Sequence, residues 1–364
     1  MTAPLRRVVG LMSGTSLDGI DVAFIETDGA HRVVAGPAIT LPYDETLRRR
    51  LRGVLGGTGP VAEVERELTH AHAVAIRALV TRHAVAPVDL VGFHGHTILH
   101  RPREGRTWQI GDGALLARLT GIDVVCDFRA ADVAAGGEGA PLVPVYQAAL
   151  AAALDRPLAV LNLGGVGNVT WIGPAGEDEI LAFDTGPGNA LIDDWALAHT
   201  GRAVDIDGAL AAAGKADEAH IVRFLAHPYF DRRPPKSLDR DEFAAFVPKT
   251  LAAADGAATL TAMTAAAVAR ASRHFPAPAR RWLVTGGGRR NPVLMAALSA
   301  RLGVSVEAVE HVGWDGDALE AQAFAYLAVR AVAGLPLSLP STTGVARPLT
   351  GGRFFRAVAQ ADGK

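Results

Sequence analysis

The chain has 364 residues, 49% of them hydrophobic and 20% charged, with a formal net charge of -2. That length exceeds what a single hydrophobic core usually serves, so two domains are expected, and the near-neutral balance excludes a broad nucleic-acid surface. A single cysteine, Cys126, excludes an intramolecular disulfide and suits a reducing cytoplasm.

At the start of the chain Arg6 and Arg7 precede only five apolar or small residues, 8–12. A secretion signal needs roughly 7–15, and no later run approaches the ~20 that span a bilayer. The chain is therefore expected to be cytoplasmic, neither exported nor embedded. Residues 8–12 and 20–26 read as strands around a turn-forming stretch, 13–19. Residues 47–55 and 64–85 read as helices, the second from apolar spacing at Val64, Leu68, Ala71, Val74 and Leu79. A buried strand at 88–93, a helix at 114–119 and a strand at 122–126 follow. At 158–172 a strand, a glycine turn and a second strand recur, about 150 residues after the first such unit, which suggests a duplicated domain. A strand at 180–183, helices at 189–199 and 242–268, a strand at 282–284 and helices at 292–302 and 318–332 complete the pattern. Residues 231–241, with Pro234 and Pro235, read as an exposed loop. Strands alternating with helices make this an α/β chain with parallel strand pairs beside hairpins.

Four of the glycine clusters stand at strand ends: Ser13-Gly14-Thr15-Ser16-Leu17-Asp18-Gly19, Gly164-Gly165-Val166-Gly167-Asn168, Asp184-Thr185-Gly186-Pro187-Gly188-Asn189 and Thr285-Gly286-Gly287-Gly288. Glycine there lets backbone N–H groups approach an anion, and residues 186–189 and 286–291 run into helices whose N-termini favour phosphate. Tight hairpins would explain any one cluster, but explain four poorly. No G-x-x-x-x-G-K-[ST], no G-x-G-x-x-G after a strand and no H-E-x-x-H occurs, which excludes P-loop, dinucleotide and zincin chemistry of those kinds. His94-Gly95-His96 has no evident third metal ligand.

Residues 10–21 (G-L-M-S-G-T-S-L-D-G-I-D) closely resemble the anhydro-N-acetylmuramic acid kinases. The resemblance continues through Gly92–Thr97, Asp127-Phe128-Arg129, residues 134–144, 162–170, 183–193 (F-D-T-G-P-G-N-A-L-I-D), 227–237 (H-P-Y-F-D-R-R-P-P-K-S), 286–295, 319–328 and 340–344. It implies two RNase-H-like domains, as in actin, hexokinase and other ATPases of that group, with a central ATP cleft. The expected division is 1–140 with 335–364 as the N-terminal domain and 141–334 as the C-terminal one. It also implies a homodimer, a small amino-sugar substrate, ATP and Mg²⁺, and a role in peptidoglycan recycling: water opens the 1,6-anhydro bridge and O6 takes the γ-phosphoryl group.

On the resemblance, Asp184 is the catalytic base and Glu320 an acid near the anhydro bond. On residues alone, Asp184 could equally cap the following helix, and Glu320 could be a solvated helix position. The phosphate-binding set is Gly14, Thr15, Ser16, Leu17, Asp18, Gly19, Ile20 and Asp21, with Gly186, Gly188 and Asn189; Gly286, Gly287, Gly288 and Asn291 line the adenosine side. Asp18 or Asp21 suits Mg²⁺, which commonly keeps several waters and one or two carboxylates. Arg129 offers a planar fork to the lactyl carboxylate, and His94 and Thr97 offer hydroxyl or acetamido contacts.

The chain departs from the family pattern at His96 (usually Gln), Glu138 (usually Gln), Tyr146-Gln147 (usually Phe-His) and Leu238-Asp239 (usually Thr-Gly). These departures fall on the sugar side. Three other readings stay open at this level: a kinase of the same architecture for another amino sugar or carboxylate, a nucleotide-clamping sensor, and an ATP-independent glycosidase.

Overall fold

The computed structural model describes residues 4–14 and 17–357, so Thr15 and Ser16 lie outside the described residues. The chain divides into two compact units, Met1–Ala152 with Asp317–Lys364, and Ala153–Gly316.

In the first unit β1 (Arg6–Ser13), β2 (Gly19–Thr27) and β3 (Val33–Pro42) form an antiparallel meander. Helices α1 (Glu45–Gly53) and α2 (Val61–His83) then carry the chain to β4 (Leu90–Arg101), parallel to β1. A crossover of this kind is what parallel pairing requires. β5 (Arg106–Ile110) folds back on β4, α3 (Gly113–Thr120) follows, and β6 (Val124–Cys126) lies parallel to β4. After α4 (Ala130–Ala134) and α5 (Pro144–Leu150) the chain leaves, returning as α11 (Leu319–Val332), α12 (Pro340–Thr343) and β12 (Arg353–Phe355), which pairs with β6. The sheet order is β12-β6-β4-β1-β2-β3.

In the second unit β7 (Leu158–Leu163), β8 (Val166–Ile172) and β9 (Ile180–Pro187) form another meander, β10 (Arg281–Thr285) runs parallel to β7, and β11 (Ser305–Ala308) parallel to β10. Its helices are α6 (Ala190–Thr200), α7 (Ala209–Ala212), α8 (Glu218–Leu225), α9 (Ala253–Ala271) and α10 (Pro292–Leu302). With the β5 hairpin and the edge strand β12 set aside, both sheets read 3-2-1-4-5 from their own first strands, with the first three antiparallel and the last two parallel. That is the RNase-H-like pattern twice over.

Local chemistry explains the element ends. Asp44, Asp112 and Asp217 cap α1, α3 and α8 by accepting N–H groups of their first turns. Asn291 caps α10, with Pro292 at its first position and Gly303 left-handed past its end. The first core lies between the sheet and α2, joining Val9, Leu11, Val22, Leu68, Ile76, Leu79 and Phe93. On the other face α11 comes unusually close. A β-carbon at Gly10 would stand 1.8 Å from the Ala321 carbonyl oxygen, and one at Gly92 would stand 2.0 Å from that of Phe324. The two glycines thus set the depth of α11, whose first turn carries Glu320.

The observed division differs from the expected one at both seams. Helix α11 falls within the expected second domain, but its apolar surface is buried on β1, β2 and β4 of the first unit. The helix expected at 242–268 begins only at Ala253, because Pro248 interrupts the run and residues 244–246 make only a single 3₁₀ turn. No helix among the described residues is long and apolar enough to cross a membrane.

Candidate functional site

The turn joining β1 to β2 is held by the protein's own backbone. Leu17 takes a left-handed conformation (φ 60°) and donates its N–H to the Gly14 carbonyl at 3.2 Å. The Asp18 carbonyl accepts from the Tyr43 N–H at 3.1 Å, and the Leu17 carbonyl from Arg48 Nε at 2.9 Å. Gly19 is required for close approach, since a β-carbon there would stand 2.4 Å from the Leu41 carbonyl oxygen. The expectation needs correcting at Leu17 and Ile20: both side chains are buried in the hydrophobic core, so only their main chains are left to meet a ligand. Asp18 is exposed, and Asp21 is half-buried with Oδ1 accepting from Thr40 Oγ1 at 2.6 Å.

Deeper in the first unit two of the three expected sugar-side residues, His94 and Arg129, form one group. His94 Nδ1 donates to the Gly95 carbonyl at 2.9 Å, which leaves Nε2 as an acceptor for Arg129 Nε at 3.1 Å and Nη2 at 3.0 Å. Burial, with the neighbouring guanidinium, holds His94 well below its ordinary pKa, so it stays neutral. Arg129 Nη1 donates to the Gly139 carbonyl at 2.8 Å. Burial draws the Arg129 pKa down to about 10, against the upward pull of Glu320. Both ring nitrogens of His94 are therefore engaged within the protein. A direct contact to a substrate hydroxyl was expected of it, whereas the bonds it makes here are to the Gly95 carbonyl and to Arg129. Thr97 is turned to the β4–β5 pairing, where Gln109 Nε2 donates to its Oγ1 at 3.1 Å. Beside His94 opens a cavity of about 440 Å³, lined also by Glu65, Trp108, Gln109, Asp112 and Asp127. Of these five only Asp127 was named from sequence, beside Arg129, although Gln109-Ile110-Gly111-Asp112 between a strand and a helix cap was a readable signal.

In the second unit Asp184 stands near the end of β9 with three fixed contacts. Its N–H donates to the Lys236 carbonyl at 3.0 Å, its carbonyl accepts from Tyr229 Oη at 2.6 Å, and its Oδ2 accepts from the Leu238 N–H at 2.8 Å. Lys236 is buried, donates Nζ to the Tyr229 carbonyl at 3.1 Å and lies over the Tyr229 ring at 4.5 Å. Burial lowers its pKa to about 8. Residues 229–238 thus wrap the aspartate, and the exposed loop expected at 231–241 is, at Lys236, an interior strap.

The glycine turn after Asp184 behaves differently from expectation. The N–H of Gly188 donates to the Gly165 carbonyl at 3.0 Å and that of Asn189 to the Gly164 carbonyl at 2.7 Å. Those amides are spent within the protein and are not phosphate donors; Gly188 is glycine because a β-carbon would stand 2.2 Å from the Gly164 carbonyl oxygen. Gly186 packs its backbone against Ala267 and Phe230. The side chain of Asn189, with Gly287, Gly288 and Asn291, lines a second cavity of about 310 Å³. Gly286 lies just outside it, with φ at 75°. The same cavity exposes Val204 and Ile206, and includes Asp193, whose pKa burial and the neighbouring Asp194 raise to about 6. Two outward-facing aliphatic side chains on a loop beside a glycine turn suit the face of a planar base.

The profile of the family described as "Anhydro-N-acetylmuramic acid kinase" matches residues 6–357. Proteins of that name from Paramagnetospirillum magneticum, Rhodospirillum rubrum and Acidiphilium cryptum are 64%, 58% and 56% identical to the chain. The alignments cover 95%, 96% and 96% of this chain and 98%, 94% and 98% of those proteins. Among solved structures, gluconate kinase from Lactobacillus acidophilus aligns with a TM-score of 0.47 and 10% identity over 91% of this chain and 90% of that one.

Proposed function

The chain belongs to the anhydro-N-acetylmuramic acid kinase family, and on that premise we propose that it opens 1,6-anhydro-N-acetylmuramic acid with water and phosphorylates the freed O6 from ATP. The product is N-acetylmuramic acid 6-phosphate, and the setting is peptidoglycan recycling in the cytoplasm. The observation that carries the reading is the fixed carboxylate of Asp184. An aspartate whose main chain is bonded on both sides and whose Oδ2 takes a peptide N–H has one orientation, which is what a general base needs.

In this reading a water gives a proton to Asp184 as its oxygen bonds to the anomeric carbon. The C1–O6 bond breaks, O6 attacks the γ-phosphorus, and ADP departs. Phosphoryl transfer asks mainly for positioning and charge neutralisation. The Gly14–Asp21 turn, with Thr15 and Ser16 in it, serves the phosphates. Asn189, Gly287, Gly288 and Asn291 serve the nucleoside, with Val204 and Ile206 against the base. Arg129, held by His94, serves the lactyl carboxylate through its Nη1–Nη2 end, and Glu320 balances its charge. The sugar lies beside it in the cavity of the first unit.

The donor set fits Mg²⁺ in one way only. No cluster of three acidic, histidine or cysteine side chains able to hold a metal occurs among the described residues. Asp18 and Asp21 provide two hard oxygen donors near the phosphate turn, the number this ion takes when phosphates and waters complete its shell. The metal supplies charge neutralisation at the phosphates. A homodimer and two functional domains corresponding to the two units belong to the same reading.

The test is incubation with ATP, Mg²⁺ and either the anhydrosugar or N-acetylglucosamine, with products weighed by mass spectrometry. The expected result is a product heavier by one water and one phosphoryl group from the anhydrosugar alone. Equal phosphorylation of N-acetylglucosamine would favour a kinase of another amino sugar instead.

A further inference from the structure

Ser13, the last residue of β1, is the entry to the β1–β2 turn, and it lies in a buried polar row that the mechanism above does not use. Its Oγ is 2.6 Å from Tyr43 Oη and 2.9 Å from His96 Nδ1. Tyr43 also holds the far end of the turn, since its N–H donates to the Asp18 carbonyl. On the other side stands His72, fully buried in α2 with its ring 4.8 Å from that of Phe93.

The register brings His72 toward His96. Glu65, Thr69 and His72 share one face of α2. Glu65 accepts from the Gly111 N–H at 2.9 Å and Thr69 from the Asp112 N–H at 3.1 Å. Ile110, just before them, pairs with His96. Nε2 of each of the two rings is buried and meets no hydrogen-bond partner, and a buried polar atom left unmet is destabilising.

Proton placement then has one solution. His72 Nδ1 is 2.8 Å from the Leu68 carbonyl, which can only accept, so this nitrogen carries the proton and Nε2 is a bare acceptor. Burial lowers both histidine pKa values to about 4, so each ring has one proton at neutral pH. Had His96 its proton on Nδ1, it and Tyr43 would both donate to Ser13 Oγ and leave the serine's own proton unmet. With the proton on Nε2, His96 donates toward His72 and accepts from Ser13, and Tyr43 donates to Ser13.

We propose that Tyr43 and His96, the latter with its proton on Nε2, are positioning residues that fix Ser13 and Asp18, the two flanks of the phosphate turn, for nucleotide. This rests on the reading that the turn serves the ATP phosphates. The orientation sets which side chains can take the place of His96. A glutamine at 96 can accept through Oε1 and donate through Nε2, and so reproduces the polarity of the ring. Leucine reproduces neither.

Two measurements decide it. In histidine-labelled wild-type protein at neutral pH, ring ¹⁵N shifts are expected to show His72 protonated on Nδ1 and His96 on Nε2. A proton on His96 Nδ1, or a cationic ring at either position, overturns the assignment. In kinetics, His96→Leu is expected to raise the KM for ATP about fivefold to tenfold, the size of one lost hydrogen bond, while the KM for sugar changes less than about twofold. His96→Gln is expected to stay within about twofold of wild type. An unchanged ATP KM in folded His96→Leu, or a His96→Gln variant as impaired as the leucine one, overturns the positioning role. Were wild type to turn over without ATP, the nucleotide reading itself would fail, and the ring shifts would still judge the proton assignment.

Discussion

Replacing Leu238 by proline removes one N–H and no charge, which isolates the contact between the Leu238 amide and Asp184 Oδ2 at 2.8 Å. A hydrogen bond to a charged group is worth about 1.5–3 kcal/mol. If the amide holds the base in its attacking orientation, that energy is lost from the transition state, and kcat should fall about 10- to 160-fold. Leu238→Thr keeps the amide and restores the side chain usual in the family, so it should stay within about threefold of wild type. Coupled ADP release in saturating ATP and anhydrosugar gives kcat, and a thermal melt confirms that each variant is folded. A folded proline variant with wild-type kcat would show that the amide does not orient the base. A crippled threonine variant would show that the side chain, not the main chain, matters here.

Three further outcomes follow from the same structure. The Lys236 pKa lies near 8 in the folded chain against an ordinary 10.5, so between those values the folded state holds fewer protons and gains stability as pH rises. Denaturant titrations at pH 7 and 9.5 should show wild type gaining about 1–2 kcal/mol over Lys236→Met, and parallel pH profiles would refute this. Gly10→Ala puts a methyl into the Ala321 carbonyl and should cost about 3 kcal/mol or more in urea unfolding, whereas a near-neutral effect would mean α11 is free to slide. Burial raises the Cys126 thiol to about 12, so native protein at pH 8 should react with an aromatic disulfide reagent only as it unfolds; rapid stoichiometric labelling would contradict that.

Much of the fold was legible because the repeated unit of strand, glycine turn and strand is written twice in plain apolar runs. The first 40 residues read as strands, but β3 was not delimited among them for a physical reason: it is a half-exposed edge strand containing Gly36 and Pro37, so neither alternation nor an apolar run marks it. β5 was missed because Arg-Thr-Trp-Gln-Ile carries little apolar signal. The seam at α11 was misplaced because chain order cannot tell which sheet a helix packs on, although Gly10 and Gly92 mark where a helix had to come close. At the site, the residue types were readable but their partners were not. The amide that meets Asp184 is 54 residues away, and it comes from the main chain of Leu238. That is why the departure from the usual threonine leaves the contact in place. Likewise Gly188 and Asn189 read as anion-binding amides until the fold shows them bonded to Gly164 and Gly165.

The most direct measurement is product formation from ATP, Mg²⁺ and 1,6-anhydro-N-acetylmuramic acid by wild type and Asp184→Asn, followed by mass spectrometry. The account predicts the ring-opened 6-phosphate from wild type and about 10²- to 10⁴-fold less from the variant, the usual contribution of a general base. An asparagine variant that forms the product at a comparable rate would contradict it.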